Sequence, residues 1–233
     1  MDIPINDFIL EEIPSEKKML LEKHLSLILE ANSRINFTRI TTFKDAVLLH
    51  IEDSLTALPE LSAAPGGSFV DLGTGAGYPG IPLSIMSGRN VRLVDSVSKK
   101  AGGLEKIINI LGLEKQAQVY CGRIEQLAKD QWGMFSVATA RALSSLPSIL
   151  ELAAPLLCMS GRLICYKARI DEVDNLDAIT VEEKLGMKLI SQRGFYLSDG
   201  QTMRNILVYE KVAQPEIKLP RKEGMAQKRP LLS

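Results

Sequence analysis

Residues Phe69–Met86 read FVDLGTGAGYPGIPLSIM, and the fold turns on how this stretch is parsed. A short apolar run, a glycine-rich turn and a second apolar run with helical spacing make a strand–turn–helix unit. The turn can be read in two registers. As Gly75-x-Gly77-x-x-Gly80 it is the dinucleotide fingerprint; as Asp71-x-Gly73-x-Gly75-x-Gly77 it is the loop of S-adenosylmethionine enzymes. Either cofactor needs glycines here, because the backbone must turn sharply and approach a ligand with no Cβ in the way.

Charge separates the two. A dinucleotide sets a pyrophosphate against the helix N-terminus, where free amides and the helix dipole attract it. Asp71 would place a carboxylate beside that anion, whereas S-adenosylmethionine carries a sulfonium and an ammonium that a carboxylate supports directly or through water. Asp95, ending the next candidate strand, suits both ribose hydroxyls in either enzyme class. We therefore expect S-adenosylmethionine on Asp71, Gly73, Gly75, Gly77 and Asp95.

Outward from this unit the pattern is regular. Candidate strands are 68–72, 91–95, 117–121, 134–140, 161–167, 187–197 and 204–211, with helix-type runs between all but the last two. The alternation predicts an α/β fold: a Rossmann-like, mostly parallel seven-stranded sheet with helices on both faces, ending in an antiparallel hairpin. Before it, Ser15–Ile35 has helical spacing of Leu21, Leu25, Ile28 and Ile35, and Thr42 with Asp45 forms a capping-box signal for a second helix running to about Leu58. The expected division is a helical extension (1–65), a cofactor-binding core (66–212) and an extended, mostly solvated, basic tail (213–233).

The 233 residues are 45% hydrophobic and 24% charged with zero formal net charge, so a nucleic-acid partner would need a local basic patch. The N-terminal MDIPINDFILEEIP lacks the features of a signal peptide, and LPSILELAAPLLCM is too short and too interrupted to span a bilayer. Cys121, Cys158 and Cys165 form no CxxC pair and read as small buried residues of a reduced, cytoplasmic protein. A monomer with no metal and no membrane partner is the expectation.

The acceptor is narrowed by what is missing. Methylation of a base amino group usually uses an Asn/Asp-Pro-Pro-aromatic motif after the fourth strand, but here that position reads TARALSSL. Pyrimidine carbon-5 methylation usually takes a Cys in a Pro-Cys pair, which does not occur here. An acceptor with a free lone pair, such as N7 of guanine, needs neither, and an Arg fork can read guanine N7 and O6. Arg141, after the fourth strand, is placed to face the crevice, and Arg123 follows the third.

The segments NFTRI, HIEDSL, DLGTGAGYPGIPL, LVDSVSKK, GRIEQL, TARAL, YKA, RNILVYEK and PRKEGMAQKRPL follow one another as in a known family. From about residue 30 onward the chain resembles the bacterial small-subunit rRNA methyltransferase G family, also called glucose-inhibited division protein B. The resemblance implies a cytoplasmic enzyme that uses S-adenosylmethionine to methylate N7 of a guanine in the 530-region loop of 16S rRNA, free or within the 30S subunit. It implies that Gly73 and Tyr78 bracket the cofactor loop, that Ile124 and Glu125 border the adenine, and that Arg141 lines the cofactor and target pocket as the catalytic residue. Asn36, His50, Asp53 and Ser54 are implied at the mouth of the site, and Arg204, Arg221 and Lys222 as RNA contacts. Two departures are Gly102-Gly103, where the family usually has a large apolar residue and the helix is expected to loosen, and Gly224-Met225-Ala226 in place of Gly-Thr-Pro.

Blander readings stand beside these. His50 reads equally as a structural histidine paired with Asp53 at i,i+3, and Lys99, Lys100 and Lys167 as phosphate contacts or solvated lysines. Two other functions stay open at this stage: an NAD-linked oxidoreductase, disfavoured by Asp71, and a non-catalytic RNA-binding or assembly factor.

Overall fold

The computed structural model describes residues 13–231; the acidic start of the chain, Met1–Glu12, lies outside the described residues. Strands β1 (Phe69–Leu72), β2 (Val91–Asp95), β3 (Ala117–Cys121), β4 (Phe135–Arg141), β5 (Leu157–Lys167), β6 (Met187–Tyr196) and β7 (Met203–Lys211) form one sheet of order β3-β2-β1-β4-β5-β7-β6. The sheet is mixed. β3, β2, β1, β4 and β5 pair in parallel, while β7 lies antiparallel between β5 and β6. The expected β6–β7 hairpin is present, with β6 outermost. Strand order reverses between β1 and β4, which opens a crevice at their carboxyl ends.

Alternation along the strands sorts the core. Phe69, Leu93, Val137, Ile164 and Ile206 face one apolar cluster, shared with α1 (Ser15–Ile35), α5 (Gly80–Ser87) and α6 (Ser98–Leu111). Val70, Leu72, Val94, Ala138 and Leu207 face the other, shared with α7 (Ile124–Asp130), α8 (Leu146–Ala153) and α9 (Glu172–Leu185). A central strand buried on both faces reads as a continuous apolar run, as FVDL nearly does.

Several expectations need correction. The second helix is not continuous. Thr42 caps it as expected, accepting from Asp45 N at 3.2 Å, but α2 (Phe43–Ala46) passes into a π-helical turn (Val47–Glu52) before α3 (Asp53–Leu55), and α4 (Leu58–Ala63) follows separately. Such wide turns insert an extra residue and re-aim side chains, here His50 and Asp53.

Gly102 and Gly103 do not loosen α6, which runs unbroken. A Cβ on Gly103 would lie 2.5 Å from Ile35 Cδ1, so the glycine lets α6 close on the end of α1 where a large residue has no room. Of the cysteines only Cys165 is buried, its thiol pushed up to about 12 by desolvation; Cys121 is exposed.

The tail is mostly exposed or half-buried, as expected of a solvated segment, but it is anchored. It packs: Leu219 and Ala226 are buried in the second cluster, and α10 (Met225–Lys228) forms a last turn against α8. Arg221 pairs with the buried Glu151, and Ser148 Oγ donates to Ala226 O at 2.7 Å, so two buried polar groups of α8 find partners in the tail. Among the described residues no helix is long and apolar enough to cross a membrane.

Candidate functional site

The crevice at the carboxyl ends of the strands is lined by Gly73 after β1, Asp95 and Ser96 after β2, Gly122 to Glu125 after β3, and Ala142 and Leu143 after β4. Its most informative group is Asp95. One carboxylate oxygen accepts Gly75 N at 3.0 Å and the other accepts Val97 N at 2.8 Å, which ties the glycine loop to the end of β2. An ionised carboxylate offers about four acceptor sites. Two remain for a ligand diol.

Gly73 and Gly75 have φ of 72° and 57°. A Cβ on Gly73 would stand 2.6 Å from Leu143 Cδ1, whereas the space above Gly75 is open. The loop is thus close-packed on its β4 side and bare where a ligand would lie. Gly77 serves packing, since a Cβ there would meet Ile81 and Leu104.

Asp71 does not reach the crevice. It is fully buried and takes Gly80 N at 3.1 Å and Thr139 Oγ1 at 2.8 Å. Burial raises its pKa, with hydrogen bonds and Arg141 pulling the other way. The expected direct or water-bridged contact with a cationic ligand is replaced by an indirect role: the carboxylate caps the first amide of α5 from beneath. That amide belongs to the helix N-terminus on which a pyrophosphate would sit.

Beside the crevice lies a second cluster. Arg141 Nη1 donates to Leu49 O at 3.0 Å and Asp53 Oδ2 at 3.1 Å, while Arg204 Nε donates to Asp53 Oδ1 at 3.0 Å. The Arg141 guanidinium stands 5.7 Å from the Tyr78 ring centroid. Tyr78 is sandwiched by His50, stacked at 4.5 Å, and His24, tilted at 4.6 Å. His50 Nε2 meets Thr38 Oγ1 and His24 Nε2 meets Ala76 O. Desolvation pushes His24 down to about 3 and His50 down to about 4, the latter also repelled by Arg141. Both imidazoles are therefore neutral at pH 7.

Asp53 is 5% exposed in its side chain, and the two arginines 16% and 17%. Asp53→Ala would remove the carboxylate from two largely desolvated guanidiniums; allowing for their remaining solvent contact, we expect a loss of about 3 kcal/mol. At roughly 2–4 °C per kcal/mol for a chain of this size, the melting temperature should fall by about 6–12 °C. An unchanged melting temperature would show that water alone satisfies the arginines.

Comparison with known proteins decides the family. The family described as rRNA small subunit methyltransferase G matches residues 17–194. The chain belongs to that family. The ribosomal RNA small subunit methyltransferase G of Alkaliphilus metalliredigens is 34% identical over 88% of this chain and 87% of its own length, and that of Pelotomaculum thermopropionicum 35% over 90% and 89%. Among solved structures, an O-methyltransferase from Bacillus cereus in complex with SAH superposes with a TM-score of 0.57 over 86% of this chain and 99% of its own, at 15% identity, so the fold is that of methyltransferases.

Within this methyltransferase G fold the expected residues divide into three groups. Gly73, Asp95, Arg123, Ile124 and Glu125 meet at the crevice, although the Glu125 carboxylate turns away and accepts Gly224 N at 2.6 Å. Tyr78, His50, Asp53, Arg141 and Arg204 form the adjoining cluster; the first three are buried, and Asp53 pairs with arginines instead of His50. Ser54 is buried at the same place, donating to His50 O, and Asn36 is the exposed, left-handed C-cap of α1.

The third group stands apart. Lys167 Nζ is held by Ser144 O and Asp174 Oδ2, and Arg221 by Glu151, so both serve the fold before they can serve a phosphate. Lys222 and Lys99 are exposed, Lys100 half-buried. Sequence reasoning missed Ser96, Gly122, Ala142, Leu143 and the tail residue Gln227 on the crevice wall. Position just past a strand's carboxyl end could have flagged the first four; nothing local flags Gln227.

Proposed function

We propose that this protein transfers a methyl group from S-adenosylmethionine to N7 of a guanine in 16S rRNA, in the cytoplasm, as the sequence resemblance implies for the 530-region loop. The observation that carries the reading is the pairing of Asp95 with Asp71. Asp95 presents two free acceptor sites beside a bare glycine loop, as a nucleoside requires, while Asp71 occupies the helix amide that a dinucleotide phosphate would need. This favours a phosphate-free nucleoside and counts against the NAD-linked alternative.

S-adenosylmethionine, when bound, supplies an electrophilic methyl on a sulfonium. The chain's own residues then orient the acceptor and keep water out. Asp95 holds the ribose diol, and the first amides of α7, Ile124 and Glu125, lack intrahelical acceptors and can donate to the adenine ring. Arg141, fixed by Asp53 and Leu49 O, retains donors for guanine O6. Such a contact leaves the N7 lone pair free, whereas a fork on both atoms would consume it. No proton has to leave guanine N7 before attack, which suits a cluster whose histidines are neutral and poorly basic.

Asp95→Ala should weaken S-adenosylhomocysteine binding about thirtyfold, since roughly 2 kcal/mol follows from losing charge-assisted hydrogen bonds. Calorimetry on the folded variant reads this directly, and undiminished affinity would remove Asp95 from the cofactor site. The function itself is tested by incubating the protein and methyl-labelled S-adenosylmethionine with 30S subunits, and separately with free 16S rRNA, from a strain lacking this gene. Label in the RNA is expected; its absence from both substrates would overturn the reading.

A further inference from the structure

We propose that the C-terminal turn Gly224–Lys228 is the adenine-side wall of the crevice and that Gln227 is a specificity residue that reads the adenine amino group. The inference rests on the S-adenosylmethionine reading given above. Gln227 lines the crevice together with Asp95, Arg123 and Ile124, although it lies far from them in sequence. Its position is fixed by contacts on either side of the turn. Gly224 N donates to Glu125 Oε1 at 2.6 Å, Ser148 Oγ donates to Ala226 O at 2.7 Å, and Lys228 N closes the turn on Gly224 O at 3.0 Å. Gly224 sits at φ 75°, and a Cβ there would come within 3.2 Å of Arg123 Nη2, so the turn lies directly against the loop that follows β3.

Adenine needs donors for its ring nitrogens and an acceptor for its amino group. The loop after β3 offers donors in its amides and in Arg123, while its side-chain acceptor, the Glu125 carboxylate, is drawn toward the tail by Gly224 N and stands 3.9 Å from Arg123 Nε. Asp95 and the adjoining Ser96 belong to the ribose end. Gln227, exposed at the rim, adds a side-chain acceptor on the base side that no intramolecular hydrogen bond among the described residues draws away. A glutamine amide matches adenine in particular, its carbonyl accepting from the amino group while its NH2 donates to N7.

The test is calorimetry of S-adenosylhomocysteine and S-inosylhomocysteine on the full chain and on Gln227→Ala. The inosyl compound replaces the amino donor that Gln227 reads with an oxo acceptor and also carries a proton on N1. The intact protein should prefer the adenosyl compound at least tenfold, and Gln227→Ala should lose about tenfold in adenosyl affinity with the preference falling by about the same factor. Equal loss for both compounds would mean that Gln227 only packs the wall, and an unchanged preference would mean that another group reads the base; either overturns the assignment. Failure of the intact protein to bind either compound would instead overturn the cofactor reading on which this one rests.

Discussion

Gly73→Asp is expected to abolish S-adenosylmethionine binding, lowering affinity beyond the reach of calorimetry while the chain stays folded. Gly73 holds φ 72° on the crevice wall, with room for a Cβ denied by Leu143 Cδ1 at 2.6 Å. Aspartate is among the few side chains that tolerate a left-handed backbone, so the cost to folding is about 1–2 kcal/mol. The side chain must then move Leu143 or lean into the crevice, where it brings a second carboxylate toward Asp95. Both the volume and the charge act against a nucleoside whose ribose Asp95 should hold. Thermal melting run beside the titration separates this from unfolding, and near-normal affinity would place the cofactor elsewhere.

The second large effect is on stability as pH falls. His24 and His50 are pushed down to about 3 and about 4 from an ordinary value of 6.5, chiefly by burial. In the unfolded chain both bind a proton below about 6.5, but the native state refuses it, so stability is complete above that pH and drains away as pH drops toward 4. Each histidine contributes a slope that approaches about 1.4 kcal/mol per pH unit below about pH 5.5, so together about 3 kcal/mol is lost between pH 6.5 and 5. Asp71, with its pKa raised, opposes this in its own titration range, because acid favours its native form. Denaturant melts at pH 7, 6 and 5 should show the loss, and a neutral replacement, His24→Gln, should halve the slope. A flat profile over that range would mean that the His24–Tyr78–His50 stack opens to water.

These two effects share a source in the loop between β1 and α5, which was legible because its signal is local. Strand, glycines and helix lie within Phe69–Met86, and Asp95 announces itself by ending the next strand. Asp71 reads as a crevice residue from the sequence, but its side chain binds Gly80 N and Thr139 Oγ1 instead. Both faces of β1 are buried, so alternation does not say whether its side chain meets the crevice or the underside of α5; only the packed helix decides. The anchoring of the tail left no local signal for a related reason. Its prolines and basic residues carry the composition of a solvated end, and the partners that fold it back, Glu151 and Glu125, are 70 and 99 residues distant. The pairing of Asp53 with Arg141 and Arg204 likewise spans 88 and 151 residues and leaves no trace in spacing. The family resemblance named several of these residues without giving their partners.

The partner geometry changes what the basic residues can do. Arg141 and Arg204 share one buried carboxylate and keep spare donors toward the site, so they are held rigid before any RNA arrives. Arg221 and Lys167 are committed to Glu151 and Asp174, which leaves exposed Lys222 and half-exposed Arg123 as the freer cations of that set. A zero net charge fits an enzyme that recognises RNA through a few placed cations more than through a general field.

The most direct test of the account is the position and atom of the methyl group. Small-subunit rRNA from a strain lacking the gene should be treated with the protein and labelled S-adenosylmethionine, digested, and mapped by mass spectrometry. A single N7-methylguanosine within the 530-region loop is expected, absent when Gly73→Asp replaces the intact protein. Methyl on a different atom, or no methyl on either the free RNA or the 30S subunit, would contradict it.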